Sequence, residues 1–218
     1  MNKYAPLLAL CATLFGSASA LAASSTDVSV TGMITPAACT PSLSGAGSFD
    51  FGKISAQDLN QDKTTRFDSA MQRFTVSCSA PTRFAVDGID NRPGTAHMNN
   101  SIYYGLGLNG TEKIGGFSMG IQPTGLNADG DTNVTRMRSI NGSAWMAVNS
   151  GPVNISSRGV GAANVLYGFA VQGASEPSPI STLSADLQVV MQVVKASDLT
   201  LTDEINFDGS ASIELTYL

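Results

Sequence analysis

Charge is scarce in this sequence. Only 13% of its 218 residues are Asp, Glu, Lys or Arg, about half of the ~25% usual for a globular chain. Twelve Lys and Arg stand against seventeen Asp and Glu, for a net charge of -5. A nucleic-acid binder needs clustered cations to displace phosphate counterions, and the sequence has no such cluster. The same shortage argues against a polybasic membrane anchor. Histidine is nearly absent: His97 stands alone, and no Cys-x-x-Cys pair exists, so a zinc site has little to build on. A hydrolase needs a nucleophile with a base in reach. His97 sits in a polar, turn-rich stretch and reads as a surface-loop residue. There is no Walker loop, and no Gly-x-Gly-x-x-Gly follows a strand. No catalytic residue, cofactor or metal is expected, and the chain reads as a non-enzyme.

Long apolar runs are also missing. The longest early run, residues 5–15, is shorter than the ~20 residues that span a bilayer. It follows Lys3 and precedes small residues, and Ala20-Leu21-Ala22 fits an A-x-A cleavage pattern. Residues 1–22 therefore read as a secretory signal, with cleavage after Ala20 as the near alternative. Removing them takes away Cys11 and leaves Cys39 and Cys78. Two cysteines in an exported chain read as one disulfide, with free thiols as the other reading.

What is present is alternation. Val28 and Val30, then Phe74, Val76 and Cys78, then Phe84 and Val86, and finally Ala211, Ile213, Leu215 and Tyr217 each repeat with period two. That is the pattern of half-buried strands. Phe49 to Gly52 reads as a short strand with a glycine stop. Residues 165–171 and 187–194 are richer apolar runs. In the second, Leu183, Leu187, Val190 and Val194 also fit helical spacing, but four valines favour strand because β-branched side chains are stiff in helices. Asp87-Gly88, Asn109-Gly110, Asp129-Gly130, Asn141-Gly142 and Asp208-Gly209 read as turns. Short strands at this spacing indicate an all-β sandwich or barrel. Residues 127–133 faintly resemble a calcium loop, but Thr132 and Arg138 occupy its glycine and glutamate positions, and a turn is the better reading. Trp145 and the Tyr103–Tyr104 pair are the aromatic candidates for a ligand-reading loop, although a sheet-face or core role is the more common one.

The two chain ends carry the most information. Val28, Val30, Gly32 and Ile34 share one face of an extended segment, and Ala211, Ile213, Leu215 and Tyr217 share one face of another. An apolar strand at a chain end pairs within its own sheet or is lent to another molecule. Period alone does not choose between these.

Val-x-Val-x-Gly-x-Ile followed by Ala37-Ala38-Cys39 resembles the N-terminal extension of chaperone–usher pilus subunits. Residues 49–54 resemble the next strand in that family. Cys78 stands where its disulfide partner is expected, and the ending with Tyr217 resembles the strand that periplasmic chaperones grip. The segments 90–94 and 105–110 are similar to a fimbrial-like branch of the family. The resemblance implies an immunoglobulin-like β-sandwich that lacks its last strand and is finished by a donor strand. It implies a signal at 1–22, a donor extension at 23–35 and a sandwich domain at 36–218. Val28, Val30, Gly32 and Ile34 would be the donor residues. Ala211, Ile213, Leu215 and Tyr217 would wall the acceptor groove and meet the chaperone. The implied partners are a periplasmic chaperone, an outer-membrane usher and neighbouring subunits, with a host or surface receptor also allowed. The implied location is the periplasm in transit and then the cell surface. A monomeric binding protein on the same fold is the alternative.

Overall fold

The computed structural model describes residues 26–33, 38–158, 164–171 and 173–218. The chain divides into two units, residues 1–35 and 36–218. Within the first, residues 26–33 form no strand, and Val28 and Val30 are 83% and 93% exposed. The alternation there is real but the expected ladder is not, because a strand exists only against a partner that accepts its hydrogen bonds. The signal at 1–22 and Ile34 lie outside the described residues.

The second unit is all-β. Its strands are β1 (Cys39–Leu43), β2 (Thr65–Asp68), β3 (Gln72–Thr82), β4 (Phe84–Asp90), β5 (Tyr104–Gly105), β6 (Leu108–Asn109), β7 (Glu112–Lys113) and β8 (Gly115–Ile121). They continue with β9 (Asn127–Ala128), β10 (Val134–Ile140), β11 (Trp145–Ala147), β12 (Val153–Asn154), β13 (Val165–Val171), β14 (Ile180–Val193) and β15 (Ala211–Tyr217). One sheet runs β1-β3-β14-β8-β12, with β2 and β9 also on β14 and β5 on β8. The other runs β11-β10-β13-β4-β15. A small hairpin, β6-β7, stands apart, turning at Gly110-Thr111 directly after the paired Asn109. All the strand ladders are antiparallel. The two sheets enclose one core, as in an immunoglobulin-like sandwich.

β14 is the spine of the first sheet. Leu183, Ala185, Leu187, Val189, Met191 and Val193 are buried, while Gln188, Val190 and Gln192 are half-buried. Period two thus wins over helical spacing across this run, and β3 and β8 pair with its two edges. Cys39 stands opposite Cys78 in the β1–β3 register and is bonded to it.

Two expectations, one of a turn and one of a strand, are corrected. Asp87-Gly88 lies inside β4, not at a turn. Glycine is needed there for a different reason: a Cβ at Gly88 would collide with the Tyr104 hydroxyl. Residues 49–52 form no ladder, and the Gly52 N–H turns back to Asp50 Oδ1 at 2.8 Å. Asn141-Gly142, by contrast, joins β10 to β11 with φ of 60° and 76°, the left-handed pair a tight hairpin needs.

Candidate functional site

The C-terminal segment reaches the second sheet late. Residues 201–207 make no backbone–backbone hydrogen bond among the described residues, although Ile205 and Phe207 pack on the core. At Asp208 the chain is tied down. Its N–H donates to Leu106 O at 3.0 Å, its carbonyl accepts from Arg92 Nε at 3.0 Å, and its carboxylate pairs with the Arg92 guanidinium. Gly209 then passes close over the floor: a Cβ there would lie 2.8 Å from Phe117 Cε1. From Ala211 the chain pairs with β4 on one edge only, as the last strand of its sheet.

Residues 49–54 lie across from this segment. They too make no backbone–backbone hydrogen bond among the described residues, yet Phe49, Phe51 and Ile54 pack on the core. Two clefts run along these banks. The first, about 760 Å³, is lined by Phe49 and Phe51 on one side and by Gly209, Ala211 and Ile213 on the other. Buried core residues, among them Phe74, Leu106, Met119 and Met191, line it as well. The second, about 630 Å³, is lined by Gly52, Ile54 and Leu59, by Leu201 and Ile205, and by the buried Ile114 and Val193. Phe207 lines both. The result is a long groove floored by apolar core residues, with residues 49–54 and 201–207 on its banks lacking backbone partners among the described residues and β15 paired on one edge only. Such a groove suits a strand, because an inserted strand supplies both the apolar side chains and the missing hydrogen bonds.

Of the expected wall residues, Ala211 and Ile213 line the groove. Leu215 packs on the core, and Tyr217 is 52% exposed. The Tyr217 hydroxyl accepts from the Cys39 N–H at 2.9 Å, which ties the end of β15 to the start of β1. The proposed donor residues Val28, Val30 and Gly32 belong to the other unit. The sequence reading missed Ile205 and Phe207. Their signal was present, since positions 205, 207, 209, 211 and 213 continue one alternation.

It also missed a charged cluster behind the groove. Asp87 on β4 stands opposite Glu214 on β15. Arg158 bridges them, with Nη2 2.5 Å from Asp87 Oδ2 and 3.1 Å from Glu214 Oε2. Burial pushes the Asp87 carboxyl above its ordinary range, and the Arg158 hydrogen bonds oppose that rise.

The loop candidates turn out to be structural. Trp145 lies over Gly168 beside Pro177 on a sheet face, since a Cβ at Gly168 would meet both. Tyr104 is buried, stacks on Phe117 and donates to Ile155 O at 3.1 Å. In the turn at 127–133 the Asp129 carboxylate accepts from the Ser181 and Thr182 N–H groups, and Asp131 accepts from Asn133 N–H. No group of three metal-ligating acidic, His or Cys side chains occurs among the described residues.

His97 is not the exposed loop residue expected. Its N–H donates to Gly115 O at 3.0 Å, its ring meets Tyr103 edge-on, and both ring nitrogens are closed off from solvent. Burial lowers its pKa. Between the lowered folded value and the ordinary ~6.5, the unfolded chain binds the extra proton, so stability rises with pH. This contribution is complete above about 6.5 and is lost as pH falls toward the folded value. A His97→Gln chain should show a flatter decline of melting temperature below pH ~6.5 than the natural chain. Parallel declines in the two chains would contradict this.

A family model described as "Protein of unknown function (DUF1120)" matches residues 28–122. Protein GltF of Escherichia coli (strain K12) is 30% identical, and the match covers 96% of each chain. The chain belongs to the DUF1120 family. Uncharacterized protein YhcF of the same organism is similar over the full length of both chains at 27% identity. The DUF1120 match runs from Val28 through the bonded cysteines and the first bank of the groove to the end of β8.

Proposed function

We propose that this DUF1120 chain is a structural subunit of a bacterial surface fimbria. On this reading it is exported by its signal, is held by a periplasmic chaperone, passes an outer-membrane usher and is joined to neighbouring subunits by donor-strand exchange. The observation that carries the reading is the groove between residues 49–54 and 201–213, floored by apolar core residues, where 49–54 and 201–207 lack backbone partners among the described residues and β15 is paired on one edge only. The alternating terminal segment supports it from the other side. Val28, Val30 and Ile34 would enter a neighbour's groove, and Gly32 would pass a point where a side chain does not fit. Each buried Val or Ile contributes roughly 1.5–3 kcal/mol, so three of them make a durable joint. Head-to-tail contacts of this kind do not close, and they build a filament. The role is one of assembly and needs no catalytic group.

The test is expression of residues 36–218 in the periplasm, with and without a matching pilus chaperone. Aggregation or degradation alone and soluble recovery with the chaperone are expected. A peptide of residues 24–35 should raise the melting temperature of the recovered domain. A domain that stays soluble, melts cooperatively without the chaperone and ignores the peptide would overturn the proposal.

A further inference from the structure

The groove is apolar along its floor and acidic along part of its rim. Asp50, Asp203 and Glu204 line the second cleft against a single cation there, Lys53, which lies 3.6 Å from Glu204. At the first cleft the one acid, Asp208, is already neutralised by Arg92. The negative potential is therefore concentrated at the second cleft. The chain's own extension does not complement it: residues 23–38 contain Asp27 and no Lys or Arg. Two copies would also bring together chains that each carry a net charge of -5.

We infer that the groove takes a strand from a different protein, apolar at alternate positions and flanked by Lys or Arg, in preference to the extension of a second copy. This rests on the groove reading above and deepens it. The apolar face of an inserted strand supplies most of the attachment, while rim charges set the encounter rate and reject like-charged competitors. Like charges facing Asp50, Asp203 and Glu204 repel most at low ionic strength, where the screening length is ~30 Å, and little at 1 M salt, where it is ~3 Å. The chain would then sit between unlike neighbours in an assembly and would not polymerise with itself.

The experiment uses the full chain and two synthetic peptides. Both carry the sequence of residues 24–35, one extended by two lysines at each end and the other by two glutamates. Affinities are measured at ~0.01 M and ~1 M salt. The lysine-flanked peptide should bind about tenfold more tightly at low salt, with the difference collapsing at high salt. The difference should also collapse in an Asp203→Asn, Glu204→Gln chain, whose exposed substitutions leave the fold intact. Sedimentation of the full chain alone at low salt should show no self-polymer. Equal binding of the two peptides, a preference that survives the double substitution, or self-polymers at low salt would overturn the inference. If neither peptide binds at either salt, the groove reading itself fails, and this inference with it.

Discussion

Replacing Cys39 and Cys78 together by serine is expected to lower the unfolding free energy by about 4 kcal/mol. The bridge closes a loop with a sequence separation of 39, and a loop of that length removes considerable freedom from the unfolded chain. The folded state depends on it too. β1 has five residues, three of them exposed, and pairs along one edge with β3. So short a strand buries too little apolar area to hold itself in register. Its first residue also contacts the end of β15 through the Tyr217 hydroxyl, so fraying of β1 loosens one end of the groove wall. Urea melts with and without reductant measure the effect. The reduced natural chain should coincide with the double serine chain, and both should melt well below the oxidised chain. An unchanged midpoint on reduction would contradict this account.

Replacing Arg158 by alanine is expected to cost about 3 kcal/mol near neutral pH. The loss arises mainly from what is left behind. Asp87 is buried and Glu214 stands directly opposite it on β15, so removing the bridging cation leaves two facing carboxylates without compensation. The Arg158 N–H bond to Gly88 O is a backbone bond and survives the substitution. The pH dependence separates this cause from simple loss of packing. The Asp87 carboxyl is already raised by burial, and the loss of Arg158 raises it further. Between the ordinary and the raised value the folded chain binds the extra proton, so stability increases as pH falls through that window. The cost of Arg158→Ala should therefore shrink in acid, as Asp87 becomes neutral. Adding Asp87→Asn should recover part of the loss. A cost that stays constant with pH, with no recovery in the double variant, would assign the effect to packing.

Much of the sandwich was legible from alternation alone. β3, β4 and β15 lie where period two placed strands, and β13 and β14 fall on the two richer apolar runs. In the ambiguous run at 183–194, the valines decided correctly, since side chains on a strand paired on both edges face the core at every second position. The Cys39–Cys78 disulfide was also legible, from the two cysteines that remain when residues 1–22 are read as an export signal. The groove was legible only in part. One wall was anticipated through Ala211 and Ile213, but Ile205 and Phe207 were not, because the turn dipeptide Asp208-Gly209 masks the alternation that runs from 205 to 213. The opposite bank was expected to be a strand. A period-two pattern reports which face is apolar and not whether a neighbour completes the ladder, so residues 49–54 carry the pattern without the pairing. Asp87-Gly88 misled for a related reason: the dipeptide is a turn signal locally, while the close approach of Tyr104 that requires glycine comes from elsewhere in the chain. Arg158 and the burial of His97 depend on contacts between distant segments and have no local signature.

Hydrogen exchange read at the two banks tests the central claim most directly. The full chain is exchanged alone, with the residue 24–35 peptide, and with its lysine-flanked form, and the amides of residues 49–54 and 201–207 are followed. An inserted strand would supply ladder partners to both banks at once, so protection should appear on both together, more strongly with the lysine-flanked peptide, while β14 stays unchanged. Banks that are already protected in the chain alone, or that exchange at the same rate with and without either peptide, would contradict the account.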